Sequence, residues 1–207
     1  MFARGHDEEV RVGAGDDLPL RFALPKGRMY TGIAALLEDA GIRVRGDARG
    51  YRPSVNLSGF EVKILKPQNI VEMLHLGSRD VGFAGADWVA ELQADLVELI
   101  DTELDPVQVV AAAPESLLQE GKLPSTPLVV ASEYERLAHL WIDKAGIQAT
   151  FVRSARSSGA CARNVAICVE NAIFYDKRRH TSRGQRGEYA IAQYLSSSYL
   201  SSSATAI

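Results

Sequence analysis

Between residues 18 and 152 the spacing of apolar positions switches repeatedly from a period of two to a period near 3.6 and back. Residues 18–23 read as a short buried strand. Residues 29–40 follow with Ile33, Leu36, Leu37 and Ala40 on one side, the spacing of an amphipathic helix, and Gly41 stands where helices commonly end. Residues 60–65 alternate as a strand. Pro67 suits the first helical position and opens a helix to residue 76 that buries Ile70, Met73 and Leu74, with Gly77 as its stop. Residues 80–84 read as a strand, and Asp87 is placed to cap the short helix after it. Residues 107–113 and 127–131 are apolar enough for buried strands. A helix spans 132–145 before Gly146, and residues 148–152 form one more strand. Strands alternating with helices predict an α/β fold with mostly parallel sheets. No internal repeat is visible.

The pattern breaks at both ends. Residues 1–17 are rich in Asp, Glu and Gly, lack the apolar core of a signal peptide, and read as a disordered leader. An acidic, proline-bearing stretch at 101–106 divides the periodic region into a first α/β lobe, 18–105, and a partial second lobe, 106–154. From Arg153 onward the chain carries eight basic residues against three acidic ones, and residues 194–206 are Ser-rich. Only residues 164–174 are suited to burial there. Residues 155–207 therefore read as an irregular, poorly packed tail, because an aperiodic tail on a periodic core departs from the consistency of one evolved domain.

Composition narrows the function classes. With 46% hydrophobic and 24% charged residues the 207-residue chain has an ordinary globular balance, and no apolar run approaches a membrane span. A net charge of −3 argues against a dedicated nucleic-acid binder. The basic run Lys177-Arg178-Arg179-His180 lacks interleaved aromatics. The expectation is a cytoplasmic protein with neither membrane nor nucleic acid as partner. Cys161 and Cys168 have no companions at ligand spacing, so neither a disulfide framework nor a metal site is indicated. His75 reads as a surface residue, and Trp88 and Trp141 as packing aromatics.

The chemistry concentrates at Leu24-Pro25-Lys26-Gly27-Arg28, the corner between the first strand and the first helix. A glycine there lets the backbone approach a ligand. Two cations stand beside the positive end of a helix, the arrangement that suits a phosphate-rich ligand.

Six motifs occur in order: Leu24-Pro25-Lys26-Gly27-Arg28, Tyr51-Arg52-Pro53, Lys66-Pro67-Gln68-Asn69-Ile70, Gly77-Ser78-Arg79-Asp80-Val81-Gly82-Phe83-Ala84-Gly85-Ala86-Asp87, Ala131-Ser132-Glu133-Tyr134 and Phe151-Val152-Arg153-Ser154. In this the chain resembles ATP phosphoribosyltransferases, which open histidine biosynthesis. The resemblance implies a two-lobed, periplasmic-binding-protein-like fold with a cleft. It implies a reaction joining ATP to phosphoribosyl pyrophosphate, with release of pyrophosphate and with Mg2+ on the phosphates. It also implies a homo-oligomer or a complex with a regulatory subunit. The substrate-binding residues it implies are Lys26, Gly27, Arg28, Gly85, Asp87, Glu133 and Tyr134, with no catalytic or metal-ligating side chain assignable. For Asp87 and Tyr134 the alternatives of a helix cap and a packing aromatic stay open.

Family members should continue after Arg153-Ser154 with a Gly-Ala-Thr-Glu-like turn and a Thr-Gly-x-Thr-Leu-Arg-x-Asn-Gly phosphate loop, neither of which is printed here. Codons able to encode residues 154–163 and 175–187, read one base later, permit both motifs in family order. The expectation is a tail that is the family gene in a shifted frame, and a transferase with impaired activity. The alternative function is a non-catalytic module of the same fold that binds small anions or nucleotides.

Overall fold

The computed structural model describes residues 2–4, 18–46, 51–154, 165–171, 189–194 and 204–206. The chain divides into two compact units, one of residues 1–106 with 202–207 and one of residues 107–201. The division at Pro106 falls in the acidic stretch noted above.

The first unit contains β1 (Phe2–Arg4), β2 (Leu20–Pro25), α1 (Arg28–Asp39), β3 (Val44–Arg45), β4 (Ser54–Val55), β5 (Phe60–Leu65), α2 (Pro67–His75), β6 (Val81–Gly82), α3 (Ala86–Leu92), β7 (Leu96–Glu98) and β8 (Ile100–Leu104). Its main sheet has the order β5-β2-β6-β1-β7, with β2 parallel to β5 and β6, and β1 antiparallel to β6 and β7. Phe2–Arg4, within the segment read as a leader, is thus a strand of this sheet. The rest of that segment lies outside the described residues.

Strand alternation sends β2 side chains to two cores. Phe22 and Leu24 pack with Val62, Ile64 and Phe83 against Ile33 and Leu37 of α1. Ala23 faces the other way and packs with Ile70, Val71 and Leu74 of α2. Helices therefore cover both faces, the doubly wound arrangement that parallel strands require. Each fully buried Leu or Ile contributes roughly 1.5–3 kcal/mol through its removal from water. Met73, expected in the core, is half-buried, and Val71 takes its place.

The amino edge of this sheet is tied by charge. The Arg21 backbone N–H and Nε both donate to Asp80 Oδ2, at 2.7 and 3.1 Å, while Nη2 donates to Oδ1. These bonds hold the Asp80 carboxyl below the usual carboxylate range. Nearby, buried Arg79 reaches Glu61 with Nη2 at 3.2 Å, and its Nε and Nη1 have no hydrogen-bond partner among the described residues. That bond likewise lowers the Glu61 carboxyl.

The second unit contains β9 (Val107–Pro114), a 3-10 turn (Glu115–Leu117), β10 (Leu128–Ser132), α4 (Glu135–Ala145), β11 (Ala149–Arg153), β12 (Val165–Asn171) and β13 (Tyr189–Tyr194). Its sheet order is β11-β10-β12-β9-β13. Here β10 is parallel to β11 and β12, and β9 is antiparallel to β12 and β13. Strand for strand this repeats the first sheet, with β10 in the place of β2, β11 of β5, β12 of β6, β9 of β1 and β13 of β7. The last described strand, β14 (Ala204–Ala206), pairs with β8 of the first unit. Val165–Asn171 lies within the stretch expected to be buried, and Val165 is fully buried. Other tail residues fall outside the described residues.

Candidate functional site

The doubly wound order locates a crevice without reference to any ligand. From β2 the chain crosses through α1 to β5 on one side. From β5 it returns through α2 to β6 on the other side. The two crossovers run over opposite faces of the sheet, as the α1 and α2 cores show. The carboxyl ends of β2 and β6 are then a topological switch point, where open α/β sheets receive ligands. An open depression of about 540 Å3 does exist on the first unit. It is lined by Leu20, Arg21, Gly59, Glu61 and Asp80, at the amino edge of the strands. Its charged groups are already in ion pairs, Arg21 with Asp80 and Glu61 with Arg79 and Lys63, so we place the candidate site at the carboxyl edge.

Lys26 and Gly27 form the turn leaving β2, with Arg28 the first residue of α1; Phe83, Ala84 and Gly85 form the turn leaving β6, with Ala86 and Asp87 opening α3. Gly27 caps α1 with φ 85° and ψ −144°, a conformation essentially restricted to glycine. No side chain caps α1 and no acidic residue lies in its first turn, so its positive end stands without carboxylate compensation from its own sequence. The Lys26 amide donates to the Leu65 carbonyl at 2.7 Å, which brings Lys66, the residue capping α2, alongside it.

The cations have identifiable surroundings. Lys26 Nζ lies 6.0 Å from the centroid of the Tyr51 ring, which is 62% exposed. The second motif thus stands against the first. Tyr51 was not among the predicted site residues, and its position in a motif was the available signal. Arg28 donates from Nε to the Asp105 carboxylate at 2.9 Å. Asp105 was missed because 77 residues separate it from Arg28.

Gly85 caps α3 in extended conformation and is buried. A Cβ placed on Gly85 would collide with the Asp87 carboxylate, which folds back over it from the first turn of α3. Asp87 is therefore inside the helix, not its capping residue, and an acidic group in a first turn is stabilised by the helix dipole. An alanine at 85 would force the Asp87 carboxylate to move.

In the second unit Glu133 and Tyr134 occupy the turn leaving β10, the counterpart of Lys26-Gly27-Arg28. Ser132 is fully buried, and its Oγ accepts the Tyr134 amide at 2.9 Å, shaping that turn. Glu133 is exposed and Tyr134 is 4% exposed, deep in its own unit. The counterpart of Gly85-Ala86-Asp87 is the segment after β12. The position expected for the phosphate loop falls there, outside the described residues, and its motif is absent from that stretch of sequence. Among the described residues no group of three or more His, Cys, Asp or Glu side chains is placed to hold a metal ion, and no helix is long and apolar enough to cross a membrane.

A model of the family described as HisG, ATP phosphoribosyltransferase, matches residues 66–174, more than half of the chain. The chain belongs to the ATP phosphoribosyltransferase family. Gly85, Asp87, Glu133 and Tyr134 lie inside the matched range, and Lys26, Gly27 and Arg28 precede it. The match continues past Ser154 in the printed reading frame and takes in β12.

The ATP phosphoribosyltransferase of Chlorobium phaeobacteroides is 29% identical over 136 residues, covering 63% of this chain and 46% of that protein. That of Pelotomaculum thermopropionicum is 29% identical over 137 residues, covering 64% and 47%. The chain spans about half the length of the curated relatives it matches. Among solved structures, an ATP phosphoribosyl transferase (HisG:HisZ) complex from Thermotoga maritima superposes with a TM-score of 0.63 at 16% identity, over 74% of this chain and 75% of that one. The likeness is one of fold.

Proposed function

We propose that the chain acts in ATP phosphoribosyl transfer, joining N1 of ATP to C1 of phosphoribosyl pyrophosphate. A bond forms between that nitrogen and C1 as the bond from C1 to the pyrophosphate oxygen breaks. The ribosyl carbon becomes cation-like, and little covalent help is needed from protein. The work is to hold two polyanions in register and to stabilise the departing pyrophosphate. What supports the reading is one juxtaposition, Lys26-Gly27-Arg28 beside Gly85-Ala86-Asp87 at the switch point, in a chain of this family.

Each residue then has a task. Lys26 and Arg28 neutralise phosphate oxygens. Gly27 admits phosphate to the first amides of α1. Asp87 offers a carboxylate to a ribose hydroxyl or the adenine amino group, close to the small Gly85. Glu133 and Tyr134, at the matching turn of the second unit, are the substrate-binding residues we propose for that unit. Magnesium enters with the polyphosphate substrates as their counter-ion. Self-association or a regulatory subunit, and a cytoplasmic setting, belong to the same proposal.

The sequence between residues 172 and 207 carries no Thr-Gly-x-Thr-Leu-Arg-x-Asn-Gly loop, so we propose that transfer by this chain is impaired while nucleotide binding is kept. A non-catalytic anion- or nucleotide-binding role is the second reading, and the same missing loop favours it. Calorimetry with ATP and with phosphoribosyl pyrophosphate, beside an assay for pyrophosphate release, tests all of this. The first reading predicts ATP binding with slow release. Lys26→Ala should weaken ATP binding by roughly 10- to 100-fold, the loss of one hydrogen bond to a charged group. Binding with no release would favour the second reading, and no binding of either ligand would refute both. Release at a rate ordinary for enzymes, roughly 1–1000 per second, would refute impairment.

A further inference from the structure

We infer that Asp105 is a positioning residue for Arg28, an internal carboxylate that occupies the guanidinium until a phosphate-bearing ligand displaces it. The inference rests on the reading of Arg28 as an anion-binding side chain. Arg28 opens α1 at the carboxyl edge of β2, and 60% of its side chain is exposed. Asp105 is only 18% exposed and comes from the turn after β8, at the close of the first unit's main segment. Their 2.9 Å contact runs from the inner nitrogen, Nε. The bond from Nε turns the guanidinium toward Asp105, so a ligand engages Arg28 fully only once that carboxylate has been displaced.

The backbone shows that this placement is held under constraint. Asp105 has φ 53°, and Glu103, two residues earlier, also has φ 53°. The left-handed region is uncommon for residues with side chains, although Asp and Asn enter it more readily than most. Leu104 between them is anchored, its side-chain carbons standing 3.5–4.0 Å from a Cβ built on Gly32 of α1. The turn is thus packed on α1, and Asp105 is delivered to the helix's first residue. A carboxylate there has two consequences for an incoming polyanion. It must be displaced from Arg28, and it repels the ligand's charge. Both make binding weaker and more selective for ligands with enough phosphate oxygens to outcompete one carboxylate.

The test uses the full chain and calorimetry with inorganic pyrophosphate and with ATP. Asp105→Asn keeps the left-handed backbone and removes the charge. Asp105→Gly keeps the backbone by another route. An exposed ion pair is worth about 0.2–1 kcal/mol, so each variant should bind pyrophosphate roughly 1.5- to 5-fold more tightly than the parent. The gain should shrink when Arg28→Ala is present, because the carboxylate then has no partner to occupy. A gain from glycine alone would show a backbone effect and overturn the inference. So would an equal gain with and without Arg28, or no gain from either variant while Arg28→Ala weakens binding. If Arg28→Ala binds pyrophosphate as tightly as the parent, Arg28 itself is misplaced in the site, and the reading beneath the inference fails with it.

Discussion

Gly82→Ala is the substitution whose cost can be worked most directly from the geometry. Gly82 is buried in β6, between the β2 strand and helix α2. A Cβ built on it would lie 2.8 Å from Ile70 Cγ2, 3.1 Å from Ala23 Cβ and 3.2 Å from the Ala23 carbonyl oxygen. The first distance is one that real side chains do not tolerate, and the other two leave no direction of escape. Ile70 and Ala23 are fully buried, so neither can swing into solvent. Overpacking by one methyl group typically costs about 1–3 kcal/mol. Restricting the unfolded chain returns about 0.4–1 kcal/mol. The net loss should be about 1–2 kcal/mol, confined to the first unit. Trp88 belongs to this unit and Trp141 to the other. Urea unfolding followed by Trp88 fluorescence in a Trp141→Phe background therefore reads the relevant transition. Ile70→Leu removes Cγ2, so Gly82→Ala should cost less in that background by at least about 0.5 kcal/mol, the coupling expected of residues in contact. An unchanged midpoint, or an identical loss with leucine at 70, would refute the packing argument.

Three further outcomes follow from the same geometry. Gly27→Ala meets no atom within 4 Å, so its cost is conformational alone. It should lower stability by about 1–3 kcal/mol in urea titrations, and Gly27→Ser should cost a similar amount; no loss from either would mean the turn can relax. Asp80 has a depressed folded pKa, so the stability it adds is complete above its unfolded pKa and disappears as pH falls through the folded value. The difference in unfolding midpoint between the parent and Asp80→Asn should be flat above about pH 5 and shrink below about pH 4. Arg21 and Asp80 are each more than a third exposed, so screening keeps the difference small; one that persists unchanged at about pH 3 counts against the pair. Arg79→Met removes a buried guanidinium with two nitrogens unpaired among the described residues and leaves Glu61 exposed to water. It should be neutral or raise stability by about 1 kcal/mol, checked by thermal unfolding, and a large loss would mean that those nitrogens are satisfied in solution.

The local signals that proved legible are those in which one residue type does one physical thing. Pro67 begins α2, Gly146 ends α4 with φ 63°, and the alternation of residues 60–65 is β5 to the residue. Boundaries slipped where apolar residues at the start of a strand are exposed, as Leu18 and Leu20 are. Residues 18–23 were expected for a strand that runs Leu20–Pro25, because the core continues through Leu24. Short edge elements were not legible. Two-residue strands such as β3 and β4 carry no period, and exposed β7 and β8 have little apolar pattern to detect.

Within the candidate site, the sequence by itself determined the Lys-Gly-Arg corner, because a helix start, a glycine and two cations are local properties. It also determined the α/β class, since the apolar period is written into each segment. Tertiary structure decided the rest. It joined β2 to β5 and β6, made their carboxyl ends a switch point, brought Tyr51 to Lys26 and set Asp105 on Arg28. It also revealed that two units with no visible sequence repeat share one strand order. Hydrogen bonds between backbones hold paired strands whatever the side chains, and an apolar pattern that many residues can supply sets which strands pair, so one topology can be built twice from unrelated residues. Contacts across 77 positions likewise depend on where the chain turns, which no single window of sequence contains.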